Sequence, residues 1–199
     1  MRILVALVVV GLLAMPALAG QNPDIRLFIT FTEGQYDNYI EAPAQYQNIY
    51  TCADCLSRTE GEGLWGVAWM FERTFGGTHL ATTNLLNGTI TPIGNPDTGV
   101  AVASGGLCIN SDPPGTGIVC LASHLYLYTT PGTVSLVGHP TDGNVAADCD
   151  NVLDEWCVYQ NGALGAGQVP PDGDPDCQEC PEPNPVEDAT WGTIKAMYR

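Results

Sequence analysis

From residue 25 the chain alternates. Ile25, Leu27, Ile29 and Phe31 fall on one side of an extended segment and Arg26, Phe28, Thr30 and Thr32 on the other, a period of two that predicts a half-buried strand. Further strands are expected at 48–52 and at 63–75, where Leu64, Trp65, Val67, Ala68, Trp69, Met70 and Phe71 supply apolar groups to both faces, as a central strand does. Others are expected at 79–90, 100–102, 117–128, 133–137 and 145–149. In 117–128, Val119, Leu121, Leu125 and Leu127 alternate with Cys120, His124, Tyr126 and Tyr128, which predicts leucines turned inward and His124 outward. Turn clusters punctuate these runs: Gly76-Gly77, Asn87-Gly88, Gly94-Asn95-Pro96-Asp97, Asp112-Pro113-Pro114-Gly115, Pro131-Gly132 and Asp142-Gly143-Asn144. Only 151–159 and the extreme C-terminus look helical. Short β-rich runs with frequent turns predict an all-β fold, an antiparallel β-sandwich.

The start of the chain changes where that sandwich is expected to live. Arg2, an apolar run over 3–14, Pro16 and the small-x-small triplet Ala17-Leu18-Ala19 predict a cleavable signal peptide at 1–19. No later apolar run approaches the length of a membrane span, so the mature chain is expected to have none. The sandwich domain is expected over 20–165. After it, composition shifts: 170–188 holds six prolines and seven acidic residues with almost nothing apolar, which predicts an acidic linker over 166–188. The chain then turns apolar and basic over 189–199. There Trp191, Ile194 and Tyr198 would share one side if helical, with Lys195 and Arg199 near the end of the segment.

A formal charge of −16 makes phosphate backbones and anionic lipid poor partners, so nucleic acid and membrane surfaces are excluded as expected ligands. Export also sets how the eight cysteines are read. All of them, Cys52, Cys55, Cys108, Cys120, Cys149, Cys157, Cys177 and Cys180, are expected in disulfides. Local spacing favours Cys108 with Cys120, Cys149 with Cys157, and the two C-x-x-C pairs closed on themselves, with Cys108 to Cys149 as an open alternative. Zinc held by the two C-x-x-C pairs is disfavoured by the oxidising location.

Calcium is the candidate metal, and no other cofactor is expected. Asp142, Asn144, Asp148, Asp150 and Asp154 gather oxygen ligands in a short stretch, joined by Asn151 and Glu155, though out of register with the EF-hand loop. Catalytic signatures are scarce: His79, His124 and His139 stand in unrelated contexts, and neither G-x-S-x-G nor H-E-x-x-H occurs. Tyr36, Tyr39, Tyr46 and Tyr50 cluster between the first two expected strands and form a candidate binding surface for a protein or glycan. Asn87-Gly88-Thr89 is a formal glycosylation sequon.

Several of these residues carry a resemblance. Gly105-Gly106-Leu107-Cys108, Val119-Cys120-Leu121, His139-Pro140, Val145-Ala146-Ala147-Asp148-Cys149 and the ending Thr190-Trp191-Gly192-Thr193-Ile194-Lys195-Ala196-Met197-Tyr198-Arg199 resemble secreted bacterial proteins with a cohesin-like β-sandwich and a short C-terminal TWGxIKxxYR-like motif. The resemblance implies a cohesin-like or jelly-roll-like fold and an extracellular or cell-surface scaffold role rather than a defined activity. Trp191, Gly192, Ile194, Lys195, Tyr198 and Arg199 would then form a sorting or attachment signal read by dedicated machinery. The expected function is noncatalytic recognition of an extracellular protein or glycan. The alternatives are a secreted polysaccharide-active hydrolase using paired carboxylates and a structural surface-layer or filament subunit.

Overall fold

The computed structural model describes residues 25–56, 63–110, 117–149 and 152–177. The expected signal peptide, the C-terminal motif, Asp150 and Cys180 lie outside them. The described residues form thirteen strands and no helix. In chain order these are β1 (Arg26–Thr30), β2 (Tyr39–Ile40), β3 (Tyr46–Asp54), β4 (Leu64–Arg73), β5 (Gly76–Asn84), β6 (Ile93–Asn95), β7 (Gly99–Ala103), β8 (Val119–Thr130), β9 (Gly132–Val137), β10 (Val145–Asp148), β11 (Leu153–Glu155), β12 (Cys157–Gln160) and β13 (Gly162–Leu164).

They build a β-sandwich. One sheet has five strands in the order β12-β1-β3-β8-β5; the other has eight, running β11-β10-β4-β9-β13-β2 with β7 beside β4 and β6 beside β7. Pairing is antiparallel except where β1 meets β12 and β2 meets β13. The inner residues of the five-stranded sheet include Ile25, Leu27, Ile29, Ile49, Leu121 and Tyr126. They pack on Val67, Trp69 and Phe71 of β4, Val100 and Val102 of β7, and Val134 and Leu136 of β9. The long apolar run over 63–75 is central as expected: β4 pairs with β10, β7 and β9. All five residues of β1 are buried, on both of its faces.

The helical reading of 151–159 is corrected. That stretch forms β11 and β12, which belong to different sheets, with buried Trp156 between them donating its indole N–H to the Ala68 carbonyl at 3.2 Å. Unfilled edges on β10 and β1 outweigh a weak local preference.

The disulfides also depart from the local pairings. Cys52 joins Cys120 across β3 and β8, Cys108 joins Cys149, and Cys157 joins Cys177. Cys55 is disulfide-bonded as well. The bridges therefore tie segments that are remote in sequence, and every cysteine among the described residues is in a disulfide. The last bridge also draws the start of the expected linker onto β12: Val158 donates its N–H to the Asp174 carboxylate at 2.8 Å, and Asn161 donates to the Asp172 carbonyl at 2.8 Å. Among the described residues, no helix is long and apolar enough to cross a membrane.

Candidate functional site: the outer face of the five-stranded sheet

Past an irregularity at Leu121, which is buried as expected, the strand β8 folds with the opposite orientation to the one its sequence predicts. Leu121, Ala122, His124 and Tyr126 are fully buried, while Leu125 and Leu127 are left half-buried. Polar groups can take the inner side because each finds partners there. The His124 ring lies edge-on to Phe71 and Trp69, with centroids 4.9 and 5.8 Å away. Its Nδ1 is 3.0 Å from the Thr82 hydroxyl and its Nε2 3.4 Å from that of Thr51. Thr82 in turn lies 2.9 Å from His79 Nε2. Burial, with a smaller push from His79, lowers the His124 pKa to about 3, so the ring is neutral. Tyr126 donates its hydroxyl to Asp97 at 2.7 Å, and Arg73 clamps the same carboxylate through Nε and Nη2 at 2.8 and 2.9 Å. Burial raises the Asp97 pKa, but the hydrogen bonds from Arg73 and Tyr126 and the charge of Arg73 outweigh it and hold the group below its ordinary value.

Satisfying these groups inward leaves apolar ones outward. On β3, Gln47, Ile49 and Thr51 are buried while Tyr46, Asn48 and Tyr50 face away from the core. Register then assembles three rows across β3, β8 and β5: Tyr46, Leu127 and Thr78; Asn48, Leu125 and Ala81; Tyr50, Ser123 and Thr83. At ordinary strand and residue spacings this grid measures about 10 by 14 Å. It is flat and mixes apolar with hydroxyl groups. Tyr46 is 60% exposed, and Leu80, beside the bulge in β5, is 47% exposed.

The face is bounded at its β1 and β12 side. Toward β1 and β12 the loop after β1 folds over it, stacking Tyr36 on Phe28 with centroids 4.7 Å apart, and Tyr159 meets both rings edge-on. Arg26 lies 3.9 Å over the Tyr159 ring and donates Nε and Nη2 to Asp54 at 2.9 and 2.7 Å. Tyr36 donates a hydrogen bond from its hydroxyl to the same carboxylate. Burial, then the hydrogen bond and charge of Asp54, push the Tyr36 pKa well up. Its polar tip is committed to the fold.

Of the four expected binding tyrosines, the structure therefore brings Tyr46 and Tyr50 together on the open face, places Tyr36 in the adjoining clamp, and sends Tyr39 to β2 in the other sheet. Leu125, Leu127, Ala81 and Leu80 were missed. For Leu125 and Leu127 the signal is the alternation in β8, whose facing the sequence does not decide; Leu80 and Ala81 lie at a bulge in β5, where the alternation breaks.

The expected calcium ligands among the described residues, Asp142, Asn144, Asp148 and Asp154, lie in and beside β10 and β11. Asp142 lies 2.9 Å from His139 Nδ1, and buried Asp148 accepts the Val152 N–H at 2.8 Å, closing the turn between β10 and β11. The main-chain carbonyl of Asn144 accepts the Trp156 N–H, and Asp154 is buried on β11. Among the described residues no three His, Cys, Asp or Glu side chains gather as a metal site. The sequon asparagine is structural too: Asn87 donates its side-chain amide to the Ser104 carbonyl at 2.9 Å.

No protein-family model matches this chain, and no curated protein matches it at a significant level. It is similar to a chain of the crystal structure of a CaDoc0917–CaCohA2 complex, at 10% identity over 71% of this chain and 99% of that one, with a TM-score of 0.45. It is also similar to a non-cellulosomal cohesin from Archaeoglobus fulgidus, at 8% identity over 71% and 89% of the two chains, with a TM-score of 0.41. For the solution structure of CaCohA2 from Clostridium acetobutylicum the values are 12%, 74% and 94%, with a TM-score of 0.42.

Proposed function

We propose that this chain is a noncatalytic extracellular or cell-surface β-sandwich that recognises a protein partner through the outer face of β3, β8 and β5. The observation that carries this reading is the inversion of β8: the strand buries His124 and Tyr126 and turns Leu125 and Leu127 outward beside exposed Tyr46. Apolar side chains aligned on an uncovered sheet face are stabilised when a partner covers them, and tyrosines beside them suit a protein contact. Multiple disulfides fit an oxidising location.

A photo-crosslinking aromatic residue in place of Tyr46, in protein exposed to the envelope of its native host, tests the reading. One discrete protein adduct is expected, at least tenfold weaker in Leu127→Arg with unchanged thermal stability. Equal adducts with and without Leu127→Arg, or the same adduct from a crosslinker at Ile93 on the other sheet, would refute it.

The C-terminal motif, from Trp191 to Arg199, serves in this proposal as the sorting or attachment signal. Deleting it should leave the chain folded and shift the protein from cell surface to medium, or the reverse. Identical partitioning of both forms would remove that role.

A further inference from the structure

The opposite surface of the sandwich carries a second apolar feature. On the outer side of β4, β7, β10 and β11 a shallow trough is floored by small residues, among them Ala101, Ala103 and Ala147, and walled by Trp65, Val145 and Leu153. Register explains its depth: Ala147 faces Gly66, Gly66 faces Ala103, and Ala68 faces Ala101, so side chains that would fill the floor are missing. The walls are large and exposed, Leu153 at 66% and Trp65 at 38%. The rim is acidic. Asp142 lines the trough, and exposed Glu155 pairs with Val145 at its edge.

We propose that the trough is the docking site of the chain's own C-terminal segment, from Trp191 to Arg199, bound in cis. Three observations select this occupant. The segment carries three large apolar residues, Trp191, Ile194 and Tyr198, which suit a floor of alanine and glycine. Charge is complementary: the segment holds Lys195 and Arg199, two of the chain's six Lys and Arg, whereas Arg26 and Arg73 in the sandwich already sit on Asp54 and Asp97. The tether is right as well. The bridge from Cys157 to Cys177 fixes the chain beside β12, at the edge of the five-stranded sheet, so the tether has to pass to the outer face of the other sheet. Beyond this anchor and Cys180, residues 181–190 lead to Trp191, a stretch of about ten residues that spans up to roughly 34 Å. A short tether of this kind raises the local concentration of the segment to the millimolar range, so modest intrinsic affinity is enough. The proposal concerns a different surface from the recognition face and stands or falls without it.

Lys195 is the only lysine in the sequence, which makes a direct test clean. Zero-length carbodiimide coupling of the full-length mature chain, at low micromolar concentration, joins a lysine amine to a carboxylate in contact with it. Peptide mapping should find Lys195 joined to Asp142 or Glu155 within one chain. The yield should fall at least fivefold in Ala101→Arg, which fills the floor, and equally in a Trp191→Ala, Ile194→Ala double variant, whose changes lie outside the sandwich and leave it folded. Coupling only to carboxylates of 172–188, coupling between isotopically distinct copies, or an undiminished yield in the double variant would overturn cis docking.

Discussion

At the scale of single residues, the most informative group is His124. Its ring is neutral and fully buried, with its pKa lowered from an ordinary 6.5 to about 3 by desolvation first and His79 second. The depressed folded-state value fixes the sign of the pH dependence. Below about pH 6.5 the unfolded chain takes up a proton on this ring that the folded chain refuses, so the stability present above that pH is lost as the pH falls toward 3. The loss from this ring alone approaches about 1.4 kcal/mol per pH unit through that window. His79, whose pKa is also lowered by burial, adds in the same direction, and Asp97 contributes only at more acidic pH because its folded value lies below 3.8. Urea unfolding between pH 7 and 4.5 should therefore show stability falling with acid, and His124→Gln should be flatter by about one proton even though it starts less stable. Parallel curves for the two proteins would mean that the ring is protonated in the folded state.

At the scale of elements, what was legible in the sequence follows from which strands are judged by periodicity and which by their neighbours. β1, β4, β7, β8 and β9 stand out because their apolar residues repeat or run without interruption. β2, β6, β11 and β13 are two or three residues long, too short to establish any period, and exist because a neighbouring edge accepts them. Facing is harder still. In β8 the period is visible, yet either set could point inward, and the choice rests on Thr51, Thr82 and Asp97, partners from β3, β5 and a turn that sequence does not place nearby. The outer position of Leu125 and Leu127 is hidden from the sequence for that reason. Turn glycines are read correctly but their necessity is tertiary: where the chain crosses from β8 in one sheet to β9 in the other, a Cβ on Gly132 would lie 2.5 Å from the Cα of Phe75, inside the main chain of another turn. Register decides the tyrosines in the same way. Tyr46 and Tyr50 share a face because they are four apart on one strand, and Tyr39 leaves them because β2 joins β13.

At the scale of the whole molecule, the three disulfides that join pairs of described residues close loops of 68, 41 and 20 residues while a net charge of −16 pushes the compact chain apart. Bridging residues so far apart restricts the unfolded ensemble, by about 3 to 4.5 kcal/mol for each loop on chain-entropy reasoning, against a total stability on the order of 5–15 kcal/mol. Removing the bridges together should consume most of the margin, whereas the acidic repulsion operates in both redox states and is weakened by salt. The described fold leaves no cysteine free, so alkylation of the native protein without reductant should add no label, and alkylation after reduction in denaturant should add eight. The reduced chain should then lose its cooperative urea transition at low ionic strength and regain part of it in molar salt, while the oxidised chain responds to salt only weakly. Overlapping urea transitions for the oxidised and reduced chains would show that the two sheets hold by their packing alone, and would assign the crosslinks to resisting proteolysis rather than to folding.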